Sequence, residues 1–208
     1  MPRSEAASRG AGAKIAHFPR IEWHILPDPS TAANALVRGE MDWWERPPAD
    51  LQPLLARSRD ITREVIDSSG RIAIMRLNHL HPPFNNVKVR QAVRMAAMQE
   101  DYMRATQGDD TSAWQICRSL WPKGTAYYNG EQEDLMPQSI AKASEALKAS
   151  GYGGEKVVII NPTDFPDIGP LGQVTADILR KIGMNVELAE TDWGTVIQRR
   201  GSREPTDK

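Results

Sequence analysis

The sequence holds one cysteine, Cys117, so no internal disulfide framework can staple it and its redox compartment stays open. No apolar run approaches the roughly 20 residues a membrane-spanning helix needs. Charge of either sign is not in surplus: 26 Lys and Arg stand against 27 Asp and Glu, a formal net charge of −1. That balance lacks the basic excess expected of a nucleic-acid binder or a protein held on an anionic membrane. Also missing are a Gly-x-Ser-x-Gly elbow and a Gly-rich phosphate loop, which removes the commonest frames for a nucleophile or a nucleotide. Gly151-Tyr152-Gly153-Gly154 is glycine-rich, but it follows a helical pattern and precedes a strand, the reverse of the order a phosphate loop requires. Residues 1–14 lack the apolar stretch of about 7–15 residues of a secretory signal. Read alone they suggest a cytoplasmic protein. Together with the polar stretch 199–208, they lead us to expect a chain truncated at both ends.

What is present is enough for a core: 208 residues, 40% of them hydrophobic, which suits one large domain or two small ones. Composition predicts a poorly tied segment over residues 1–19. Alternation of apolar and polar residues predicts strands over 20–26 and 61–66, and apolar runs predict strands at 41–44, 71–78, 157–160 and 186–188. Helical spacing predicts helices at 32–37 (capped by Ser30 or Thr31), 49–57, 88–97 (capped by Asn85 or Asn86), 101–107, 139–149, 172–182 and 193–200. The stretch 114–130 reads as a packed irregular loop. Helices that stop at Gly39, Gly151 and Gly183 and give way to strands argue an α/β organisation.

Four segments, in this order, carry a resemblance. They are Ala35-Leu36-Val37-Arg38-Gly39-Glu40-Met41-Asp42; Leu77-Asn78 followed by Pro82 through Ala92; Ala141 through Tyr152; and Ile182 through Leu188 followed by Asp192-Trp193. Together they resemble the family 5 solute-binding proteins of ABC importers, the peptide- and nickel-binding receptors of bacteria. The second segment is the most specific; the third and fourth occur in many α/β proteins.

The resemblance implies part of a two-lobed, type II periplasmic-binding-protein-like fold. Residues 20–70 would belong to lobe I and residues 71–208 to lobe II, without its C-terminal continuation. It implies a receptor rather than an enzyme, a monomer located in the periplasm, with no cofactor and no nucleic acid. Its partners would be a small solute, by default a dipeptide or oligopeptide, and the permease subunits in the membrane. Family members also take sugars, opines and metals, and the sequence does not choose among them. In peptide-binding relatives an acidic residue beyond the Asp192-Trp193 match pairs with the ligand's amino group. Two rival readings are a truncated gene product that binds nothing and a small α/β enzyme built on Cys117 or the histidines.

Five residues are candidates for ligand contact. Trp43 and Trp44, adjacent on an expected strand, must face opposite sides, so at most one can be fully in a core. The other offers a large apolar face and one N–H donor, features favoured in ligand pockets. Glu45 follows them, and packing of a tryptophan on Pro47-Pro48 is the plain alternative. Ser69-Gly70-Arg71 suits a crossover between lobes, with Gly70 able to absorb rotation and Arg71 able to fork onto a ligand carboxylate. A surface arginine after a turn is the competing reading. Asn78, in the second segment, completes the set. His79 and His81 share a face on an extended segment, but no further ligand cluster lies near them in sequence, so no metal site is assigned. Cys117 reads as a small buried hydrophobe.

Overall fold

The computed structural model describes residues 6, 15–67, 70–117, 119, 121–128, 130 and 138–204. The chain divides into two compact units, 1–45 and 46–208. Most of the segment expected to be loosely tied, residues 1–5 and 7–14, lies outside the described residues, as does Ser69.

Among the described residues of the first unit one helix forms, α1 (Pro29–Val37). Its cap is Asp28, not Ser30 or Thr31. Asp28 Oδ1 accepts from Thr31 N at 2.7 Å and from the Thr31 hydroxyl at 2.6 Å. Pro29, at the first helical position, lacks an N–H that would have had no partner there. The Thr31 hydroxyl, then its backbone N–H, hold the Asp28 carboxyl below its usual range.

The second unit carries the core. A 3₁₀ turn (Ala49–Leu51) leads into α2 (Gln52–Arg57). Then come α3 (Val87–Ala96), α4 (Gln99–Gln107), α5 (Ile140–Ala149), β1 (Lys156–Pro162), α6 (Gly169–Lys181), β2 (Asn185–Thr191) and α7 (Trp193–Arg199). In α3, Val89, Ala92, Val93 and Ala96 recur at helical spacing and are buried. They meet Ala143 and Leu147 of α5, Val157 of β1, Ile178 and Leu179 of α6, and Ile182 and Met184 beyond it. Each large apolar side chain so buried contributes roughly 1.5–3 kcal/mol.

α3 and α5 run antiparallel, because each end of one is tied to the opposite end of the other. Asn86 Oδ1 caps α3 by accepting from Lys88 N at 2.9 Å, while its Nδ2 donates to the Ser150 carbonyl past the end of α5 at 3.0 Å. At the far end Ser139 N donates to Met95 O at 2.9 Å, and Gln138 Nε2 donates to Ala97 O at 2.6 Å. On α4, the Tyr102 hydroxyl lies 3.1 Å from Thr175 Oγ1, which donates its own proton to Leu171 O. Burial of the ring, the larger effect, pushes the Tyr102 phenol up. The loop after α4 is pinned by Gln99, whose amide donates to Cys117 O and accepts from Cys117 N.

β1 and β2 pair in parallel, Lys156 opposite Asn185 through Pro162 opposite Thr191, with α6 as the crossover. α6 starts at Gly169 rather than at 172, since Pro170 is compatible with a first helical turn. Its opening glycines lie hard against β1. A Cβ on Gly172 would stand 2.0 Å from Asn161 Oδ1, and one on Gly169 would stand 2.9 Å from Pro162 O.

Four expected strands do not form. Among the described residues, 20–26, 41–44, 61–66 and 71–78 join no ladder. Ile21, Trp23 and Ile25 stand exposed, as do Val65, Ile66, Ile72 and Ile74. Alternation marks a chain suited to a half-buried strand, but a strand exists only where a neighbour supplies hydrogen-bond partners.

Candidate ligand-binding site

Parallel pairing puts the carboxyl ends of β1 and β2 at one edge, and in open α/β sheets ligands gather beyond that edge. There, within the second unit, the 163–168 loop is locked to the turn that starts α7. Thr163 N donates to Thr191 O at 2.9 Å, and Asp164 Oδ1 accepts from Trp193 N at 2.7 Å. The rings of Phe165 and Trp193 pack 4.8 Å apart at 42°. Asp192 caps α7 through Thr195 N and the Thr195 hydroxyl. That hydroxyl, then the backbone N–H, hold the Asp192 carboxyl below its ordinary value.

Arg71 reaches this edge. Both of its terminal nitrogens donate to one oxygen, Asp167 Oδ2, at 3.2 Å each. The side chains remain 60% and 42% exposed, so the pair is open to solvent and to a competitor. The preceding Gly70 has a φ of 69°, in the left-handed region where a side chain is strained. The arrangement is a fixed acid-and-aromatic loop with one guanidinium held loosely against it.

Asn78 is exposed, and its Oδ1 accepts from Leu80 N at 3.0 Å, closing a local turn. In the first unit Trp43 is 63% exposed, whereas Trp44 is half-buried and Glu45 exposed. The two tryptophans do differ in burial, although the segment is not a strand. His81 Nε2 donates to the Arg203 carbonyl at 2.8 Å, and among the described residues no three His, Cys, Asp or Glu side chains gather as a metal set. Cys117 Sγ faces the carbonyls of Ser119 and Trp121. A groove of about 230 Å³ lies at the opposite, amino edge of the strands, between Leu147, Tyr152 and Ile182. Its one hydroxyl, on Tyr152, is already committed to Glu155 O and Asn185 N.

Sequence reasoning missed Asp167 as the partner of Arg71, and the contacts of Asp164 and Phe165 with Trp193 in the same loop. A signal existed: Thr-Asp-Phe-Pro-Asp directly follows the strand whose carboxyl end it extends.

The chain is similar to known proteins along most of its length. A protein of Sinorhizobium fredii named as a probable peptide ABC transporter periplasmic-binding protein is 36% identical over 100% of this chain and 40% of its own length. Di/tripeptide-binding protein 1 of Pseudomonas aeruginosa is 30% identical over 84% of this chain and 33% of its own. Among solved structures, the periplasmic binding protein DppA of Helicobacter pylori, in complex with the peptide STSA, matches with a TM-score of 0.69 and 29% identity. That match covers 85% of this chain and 33% of the other. The chain thus spans well under half the length of these relatives, and its mixed helix and sheet make up part of a type II binding-protein fold. With the family model matching from residue 11 to residue 205, the chain belongs to the bacterial extracellular solute-binding proteins, family 5, over the middle portion of that family.

Proposed function

We propose that this chain is part of the substrate-binding component of an ABC importer, one that captures a short peptide in the periplasm and delivers it to a membrane permease. The observation that carries this reading is the agreement of the relatives: those compared above are named for peptide or dipeptide binding and match along nearly all of the chain. The exposed guanidinium of Arg71, at the carboxyl edge of parallel strands, supports it with a group suited to a peptide's terminal carboxylate. In this reading residues 20–70 belong to lobe I and 71–208 to lobe II, and the component acts as a monomer, without catalysis or a cofactor. Trp43, Trp44, Glu45, Arg71 and Asn78 contribute to ligand binding. Trp43 contributes an aromatic face that is already exposed.

Tryptophan fluorescence tests both the ligand class and the tryptophans. Adding a pool of di- to tetrapeptides should shift the emission, and of the variants Trp43→Leu and Trp44→Leu one alone should remove most of the shift. Two variants that lose thermal stability yet keep the full shift would return both tryptophans to packing roles. No shift in the wild-type chain or either variant would argue against peptide capture.

A further inference from the structure

The contact between Arg71 and Asp167 is weak for an arginine–carboxylate pair. A forked pair uses two carboxylate oxygens in two parallel bonds of about 2.7–2.9 Å. Here a single oxygen serves both Nη groups, at 3.2 Å each, and both side chains are substantially exposed. Exposed pairs of this kind contribute little on their own. The loop that presents Asp167 is nevertheless fixed, since Thr163 binds it to the end of β2 and Asp164 to the start of α7. Asp167 is therefore held in place beside a guanidinium that a free carboxylate could grip better.

We propose that Asp167 is an internal competitor, occupying Arg71 in the empty protein and displaced when a ligand carboxylate takes the guanidinium in a two-oxygen fork. This rests on the reading of Arg71 as the group that binds the ligand's carboxylate. The consequence is selectivity. A ligand end that cannot offer two charged oxygens, such as an amide, gains too little to displace Asp167. A terminal carboxylate replaces a poor pair with a good one, and its net affinity is lowered by the strength of the pair it breaks.

The test is calorimetric titration of the chain with the tetrapeptide Ser-Thr-Ser-Ala and with its C-terminal amide. Asp167→Asn should tighten the free acid by about two- to fivefold, the range an exposed pair allows, and leave the amide unchanged. Arg71→Ala should weaken the free acid roughly tenfold or more, and adding Asp167→Asn to it should restore nothing. Asp164→Asn is the control. It removes an equal charge from the same loop while its Oδ1 can still accept from Trp193 N. An equal gain from that control, a gain for the amide, or no gain from Asp167→Asn would overturn the competitor role. Weaker binding of both forms in Asp167→Asn would instead mark Asp167 as a direct ligand contact and overturn it as well. If Arg71→Ala weakens the acid while Asp167→Asn does nothing, the inference alone falls. If Arg71→Ala leaves the acid untouched, or the wild-type chain binds neither form, the reading of Arg71 falls and takes the inference with it.

Discussion

Replacing Gly172 with Ala should destabilise the chain by about 3 kcal/mol, near the top of the range for forcing a methyl group into a packed interior. The added Cβ would stand 2.0 Å from Asn161 Oδ1 and 2.6 Å from its Cγ, far inside contact distance. Asn161 is only 2% exposed, so it cannot simply swing into water. The helix must lift from β1, or Asn161 must leave its rotamer, and either loosens the edge that carries Asp164 and Asp167. Combining Gly172→Ala with Asn161→Ala should recover most of the loss, because the obstructing side chain is gone. Urea melts of the two single variants and the double variant measure this coupling. Additive losses would mean that the close approach of α6 to β1 is not what the glycine serves.

Replacing Asn86 with Ala should cost roughly 1.5–3 kcal/mol, the sum of a lost helix cap and a lost hydrogen bond to another helix end. Asn86 is suited to its place because one amide does two things. Its oxygen accepts from Lys88 N, and its nitrogen donates to the Ser150 carbonyl 64 residues away. Asp at this position can still cap α3, but it has no donor and sets a carboxylate against a carbonyl oxygen. Asn86→Asp should therefore lose nearly as much stability as Asn86→Ala. Thermal melts of the two variants separate the contributions: a fully stable Asn86→Asp would show that only the cap matters.

Residue pattern reached some of this and not the rest, for physical reasons. Helices α3, α5 and α6 were legible because Val89, Ala92, Val93 and Ala96, then Ala143 and Leu147, then Ile178, Leu179 and Ile182 repeat at helical spacing and meet in one core. The strands over 157–160 and 186–188 exist because each supplies the other's ladder. Alternation at 20–26 and an apolar run at 71–78 yield chain without a ladder, since a residue pattern is local and pairing is not. The cap of α1 was misplaced by two or three residues because Asp28, Ser30 and Thr31 can all cap, and Pro29 decides for Asp28. Arg71 could be named from sequence as a cation after a glycine. Its partner Asp167 could not, because a contact between residues 96 apart depends on the crossover that brings them together.

Calorimetric titration of the folded 208-residue chain with uncapped di- to tetrapeptides is the most direct measurement of what it does. The account predicts saturable, one-to-one binding of at least one such peptide, weakened when its carboxylate is amidated. A chain that melts cooperatively yet gives no heat of binding with any peptide in the pool would contradict it.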